Sequence, residues 1–207
     1  NKIETLRELG DLAAILKNSV HTEQLAYVPF FIAPNDIQAV KACGVTFIKS
    51  LLERVIEEKA KGNAQEADKI RETIYETLGN DLSSVVPGSP ETEALKKRFQ
   101  DECLWSQYLE VGIGKDAEVF TKGQPLSSVG FGAEIGVLKD SIWNNPEPEV
   151  VLAVSSKGKI VGATLGNDVN LRDYEDRSAL LLGEAKDQNG SCAIGPLFRL
   201  FDDTFDL

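Results

Sequence analysis

The stretch Trp143–Asp173, WNNPEPEVVLAVSSKGKIVGATLGNDVNLRD, reads as two extended runs, Glu149–Ser155 and Lys159–Leu165, joined at Lys157-Gly158. β-branched and small apolar residues fill both arms, and a glycine at the second loop position suits a tight hairpin. A loop centred between Lys157 and Gly158 makes Glu147 face Asp168 and Glu149 face Gly166. Glu147 and Glu149 are two residues apart, so they share one face of their strand. Facing Cβ atoms in an antiparallel pair sit about 4.5–5.5 Å apart and diagonal neighbours about 7–8 Å. Three carboxylates therefore converge on one patch. The pairing requires an even loop, because a slip of one residue turns one arm over.

Like charges opposite each other destabilise a sheet, so a cation is expected to neutralise this patch. Oxygen-only ligands suit a hard divalent ion, Mg2+ first, with Mn2+ or Ca2+ as alternatives. The plainer account is an edge hairpin with a solvated acidic face. Against it, Asn144, Asn145, Asn167 and Asn170 crowd the same strand ends, and both arms are otherwise apolar.

These residues resemble the metal site of the fumarylacetoacetate hydrolase family, in which Glu-x-Glu enters a strand and a G-N-D-V-x-x-R-D segment follows a short hairpin. The matching residues are Glu147, Glu149 and Asp168 within Gly166–Asp173, and the resemblance implies that they bind Mg2+. Phe120-Thr121-Lys122 followed by Pro125 is similar to the family's F-x-K-P segment. Ala185-Lys186 with Ser191-Cys192 and Gly195-Pro196 resembles its lysine-bearing loop. The match covers roughly Trp105–Leu200, and WSQYLE at Trp105–Glu110 places it near the bacterial 2-keto-3-deoxy sugar-acid dehydratases. The implied fold is α+β: a helical N-terminal part with a lid at 1–104, and a metal-binding, mixed β-roll at 105–207. Family members continue with further strands, so a β-roll lacking its C-terminal portion is expected here, in a chain without Met that stops at Leu207. The resemblance also implies a homodimer.

Composition bounds the rest. A chain of 207 residues with 42% hydrophobic and 27% charged residues has ample length for a core and the profile of a soluble globular protein. The net charge of −11 argues against nucleic acid and anionic membrane as partners. No apolar run approaches the roughly 20 residues of a membrane span. Cys43, Cys103 and Cys192 have neither disulfide nor metal-ligand spacing, which suits a reducing cytoplasm and small buried thiols.

Along the chain, Ile3–Asn18 carries a helical stripe, and Val28–Ala33 reads as a short extended run. Asp36 caps a turn into Ile37–Ala42. A helix is predicted over Val45–Lys61, broken at Gly62-Asn63, and a second over Ala64–Leu78. Ser89, Pro90 and Glu91 start a third that runs to about Asp101. From Trp105 short strands and glycine-rich loops are expected. His21 is the only histidine, lies outside every motif and reads as structural.

Gly44–Ser50 resembles the family's G-x-N-Y-x-x-H segment, which opens a lid. Ser50 stands where hydrolases carry the His of a water-activating dyad, while Glu53 keeps the acid. This departure counts against C–C hydrolysis and leaves Glu53 as a general acid or base for an elimination; a surface pair with Arg54 is its plainer role. Lys122 and Lys186 are the other catalytic candidates, suited to holding a carboxylate or exchanging a proton. Ser50, Arg54, Ser127, Ser128, Asn170 and Arg172 are candidates for substrate binding. The expected activity is that of a Mg2+-dependent lyase that dehydrates a small-molecule 2-oxo acid, such as a 2-keto-3-deoxy sugar acid, through a metal-chelated enolate. The alternatives are an acylpyruvate hydrolase or oxaloacetate decarboxylase, and, from another class, a non-catalytic binding module.

Overall fold

The computed structural model describes residues 7–20, 27–44, 48–78 and 86–205. They form two compact units, one of residues 43–120 and one that joins 1–42 to 121–207. The expected division at 104/105 differs from this, because the N-terminal segment is grouped with the β-rich half. No helix among the described residues is long and apolar enough to cross a membrane.

The 43–120 unit is helical. Helix α2 (Ile48–Ala60) buries Leu51, Leu52, Val55 and Ile56 as one stripe. It ends at the Lys61-Gly62 turn, and Asn63 Oδ1 accepts from the amides of Gln65 and Glu66 to start α3 (Ala64–Leu78). Helix α4 (Pro90–Asp101) has Ser89 as N-cap and proline in its first turn, as its sequence predicts. The predicted loop after Trp105 instead holds a short helix, α5 (Gln107–Gly112), capped by Ser106, whose hydroxyl accepts from Leu109 N. The four helices close over a core of Leu51, Leu52, Val55, Ile56, Ile74, Phe99, Leu104, Leu109 and Ile113.

The other unit begins with α1 (Leu12–Val20), shorter than the predicted Ile3–Asn18; residues 1–6 and His21 lie outside the described residues. Residues 28–33 form no strand. Strand β1 (Val40–Cys43) replaces the expected turn at Ile37–Ala42, because it finds a partner far along the chain in β2 (Val119–Gly123). Of the three cysteines, only Cys192 is buried; Cys43 and Cys103 are exposed, contrary to expectation.

Strands β4 (Pro148–Val154) and β5 (Ile160–Asp168) form the predicted hairpin, and Glu149 pairs with Gly166. The loop is nevertheless not the even one expected. Ser155 N donates to Lys159 O, Gly158 N to Ser155 O, and Gly158 has φ +71°, which closes a three-residue loop. That loop alone would shift the register by one. A bulge at Val161 takes up the difference, since Val154 pairs with Ile160 and Ala153 with Gly162. β5 also pairs with β7 (Cys192–Ile194) and β8 (Arg199–Leu200), while β3 (Asn144–Asn145) pairs with β6 (Asn170–Leu171). A parallel bridge, Val129 to Ala193, makes the sheet mixed. After β6 come α6 (Arg172–Glu175) and α7 (Leu182–Lys186).

Phe99 is wholly buried in the helical core. Phe99→Ala should cost about 3–5 kcal/mol, from lost transfer energy plus a cavity, read as a lower urea midpoint at unchanged slope.

Candidate functional site

The N-terminal end of β4 and the C-terminal end of β5 meet where the acids stand. Asp168 N donates to Glu147 O at 2.9 Å, and Asn167 Oδ1 accepts from Glu147 N at 2.9 Å. These bonds continue the ladder beyond Pro148, which has no N–H to give. Glu149 lies opposite Gly166, where a Cβ would come within 2.5 Å of Val151 Cγ2, so glycine leaves room for the Val151 side chain.

Two lysines neutralise this end. Lys186, at the end of α7, is buried, and its Nζ donates to Glu147 Oε2 at 2.5 Å and to Asp168 Oδ2 at 3.0 Å. Lys122, on β2, is 1% exposed. Its Nζ donates to Val169 O at 2.7 Å, to Ser191 Oγ at 3.0 Å and to Lys186 O, and lies 3.3 Å from Asp168 Oδ1. That last contact is an ion pair without hydrogen-bond alignment, so Asp168 Oδ1 is buried with no hydrogen bond.

Burial and charge set the protonation tendencies. Burial pushes the Asp168 carboxyl above its ordinary value, against the pull of Lys186 and Lys122. Burial, then the neighbouring Asp168, with Glu147 a smaller contributor, raises Glu149. Burial lowers Lys122 in spite of Asp168. For Lys186 burial acts downward but is outweighed by Asp168 and Glu147, and its ammonium is held above the usual range.

The other expected residues divide between the two units. Asn170, fully buried, uses its amide Nδ2 to bridge Glu147 Oε1 at 3.1 Å and Glu175 Oε2 at 2.6 Å. Arg172 binds Glu175 at 2.9 Å and stacks over Trp143 rather than bracing Asp173, whose carboxylate instead takes Ser141 Oγ and Ile142 N. Ser127 Oγ donates to Gln124 O, and Ser128 Oγ accepts from Asn35 Nδ2; both serines precede Val129, which bridges to β7. Glu53 belongs to the other unit, where Arg71 grips it through Nε at 3.3 Å and Nη2 at 2.9 Å. That guanidinium holds the Glu53 carboxyl below its ordinary value and weakens it as a base. Ser50 is exposed on α2, and the side chain of Arg54 lies outside what is described.

Glu175 and Ser191 had no assigned role at the sequence level. The Arg172-x-x-Glu175 spacing, one helical turn, was the available signal for Glu175. For Ser191 no local pattern exists, since its partners are side chain and carbonyl groups brought by β2 and α7.

Among the described residues no three His, Cys, Asp or Glu side chains are gathered as an ion's cage. The cation seated between Glu147 and Asp168 is the Lys186 ammonium. The donor chemistry nonetheless fits a hard divalent cation: the acids offer oxygen only, and Asp168 Oδ1 is buried without a hydrogen bond.

No family model matches the chain. Over 86 residues it is 42% identical to 2-dehydro-3-deoxy-D-arabinonate dehydratase of Saccharolobus solfataricus, covering 42% of this chain and 29% of that protein. Over 109 residues it is 38% identical to a probable 2-keto-3-deoxyxylonate dehydratase of Haloferax volcanii, covering 53% of this chain and 37% of that one. The fold matches a solved 2-keto-3-deoxy-D-arabinonate dehydratase complexed with magnesium and 2,5-dioxopentanoate, with TM-score 0.60 and 24% identity over 94% of this chain and 50% of the other. The chain thus spans about a third of the curated relatives it matches. Over those segments the chain is similar to 2-keto-3-deoxy sugar-acid dehydratases, the subgroup to which the sequence resemblance pointed.

The raised Glu149 carboxyl has a measurable consequence. A carboxyl raised in the folded state takes up protons on folding, so it favours the fold at low pH. That contribution is lost as pH climbs through the ordinary carboxylate range toward the raised value. In a chelating buffer, the melting temperature of the wild type relative to that of Glu149→Gln should therefore fall over that interval, by paired melting scans from acid to neutral pH.

Proposed function

We propose that this chain carries the metal-binding part of a Mg2+-dependent dehydratase acting on a 2-keto-3-deoxy sugar acid. The observation that carries the proposal is the hairpin end at which Glu147, Glu149 and Asp168 stand with the buried Lys186 ammonium bonded to two of them. The relatives named as dehydratases of such acids support it. Glu147, Glu149 and Asp168 would hold the ion, which when bound supplies a Lewis acid for the carboxylate and 2-oxo oxygens of the substrate.

The chain's own residues do the rest. Lys186 is the proton-handling group, because it adjoins the metal-holding acids and they keep it charged. As an ammonium it suits protonation of the hydroxyl that departs from C4 as water, and its amine form is the base that takes the C3 proton, so that one proton gained and one given leave Lys186 unchanged over the turnover. Glu53 is the weaker candidate for that work, committed as it is to Arg71. Asn170 fixes Glu147 and keeps its carboxylate aimed, with Glu175 and Arg172 behind it. The three cysteines, free in the structure, are consistent with a cytoplasmic location, which we include in the proposal.

Calorimetry with Mg2+ in the presence of oxalate, a bidentate mimic of a 2-oxo acid, tests the metal site. Binding should be measurable in the wild type and lost in Glu149→Ala and Asp168→Asn, whereas Lys186→Met should still bind Mg2+ and fail to dehydrate any of a panel of 2-keto-3-deoxy sugar acids in the full-length protein. A folded, full-length protein that binds no Mg2+ would leave only a binding module.

A further inference from the structure

We infer that Lys122 is a positioning residue, which fixes Asp168 and the end of helix α7 without itself reaching substrate. This deepens the metal-site proposal and rests on it. An ammonium has three N–H bonds and no acceptor. All three are spent, on Val169 O, Lys186 O and Ser191 Oγ, and the side chain is 1% exposed. No hydrogen remains for a bound carboxylate.

The identity of the three acceptors says what the lysine holds. Val169 directly follows Asp168, so the first bond pins the backbone beside that carboxylate. The second pins the carbonyl of Lys186, the residue whose ammonium bridges Glu147 and Asp168. The third takes Ser191, whose hydroxyl also faces Lys186 O and Gln188 O and stands next to Cys192, the partner of Asp168 across the sheet. One buried charge thereby sets the chain direction at Asp168 and the place from which Lys186 reaches inward. The remaining neighbour, Asp168 Oδ1 at 3.3 Å, is attracted to Lys122 without being hydrogen bonded, which leaves that oxygen available to a metal ion.

The two lysines thus differ in what they face. Lys186 Nζ meets two carboxylate side chains, whereas Lys122 meets two backbone carbonyls and a hydroxyl.

The test compares wild type with Lys122→Met by Mg2+ calorimetry with oxalate, at a temperature where circular dichroism shows both folded. Affinity should fall about 10–100-fold, the range for loss of a group that orients metal ligands. In the wild type, the 15N-detected ammonium signal of Lys122 should stay in place when oxalate is added. A purely structural lysine would lower the melting temperature and leave the affinity of the folded molecules unchanged, and that result overturns the inference. An ammonium signal that moves with oxalate does the same, since it means contact with the ligand. Wild type that binds no Mg2+ fails both this inference and the metal site, while normal wild-type binding with an unchanged variant fails this inference alone. If Lys122→Met does not fold, Ser191→Ala decides: removal of one acceptor should weaken Mg2+ severalfold, and unchanged affinity overturns the inference.

Discussion

Asp168 is a carboxylate taken out of water between two ammoniums. Desolvating an ion costs several kcal/mol even after relaxation, and a buried charge persists only with partners in good geometry. Here the partners come from different parts of the chain: Lys122 from β2 and Lys186 from the end of α7. The loop before β7 supplies Ser191 to complete the shell of Lys122. The elements around the site are therefore not free to shift separately. Moving any of them strands a charge, and leaving one partner of a buried pair uncompensated is far more costly than the pair is worth. The polar cluster in this unit thus specifies an arrangement, much as the apolar stripe of α2 does in the helical unit.

The hairpin shows how a correct register can come from a wrong loop. The alternation of Glu147 and Glu149 with apolar neighbours, and the acid at Asp168, determined which residues had to face one another, and the observed pairing of Glu149 with Gly166 agrees. The loop was expected to be even, yet Ser156–Gly158 is a three-residue turn. A one-residue bulge at Val161 restores the pairing, so the side-chain pattern prevails over the turn. Bulges leave little trace in a sequence. The faces of the strands were legible because burial acts on every second residue, while the bulge depends on a single local backbone adjustment.

The same contrast runs through the rest of the chain. Helices α3 and α4 were legible to the residue because caps and stripes are local: Asn63 and Ser89 act within three positions of themselves. Helix α5 has six residues, too few for a stripe, and β1 exists only through β2, which no window of sequence contains. In the site, the three acids lie on one hairpin and could be placed by counting. The fate of the lysines could not, because it depends on carbonyls and carboxylates of segments distant in sequence. Glu53 shows the limit from the other side. Its position after the lid-like segment suggests chemistry, while its ion pair with Arg71, on the next helix, is something no local motif shows.

Charge accounting joins these points to the proposed chemistry. Around the hairpin end stand three carboxylates and two ammoniums, and Glu149 is the acid with no lysine bonded to it; burial first, then the neighbouring Asp168, raises its carboxyl. Under the proposed function a divalent cation would relieve that charge better than a third lysine, because it can take oxygens from several acids at once, whereas an ammonium must spend its hydrogens one by one. Lys186 gains from the same change. While its hydrogens are engaged by Glu147 and Asp168 it is a structural cation; under the proposed function, a metal held by those acids would free the ammonium beside them to serve as a proton donor. Lys122, whose hydrogens go to carbonyls and a hydroxyl, has no such exchange to make and stays where it is.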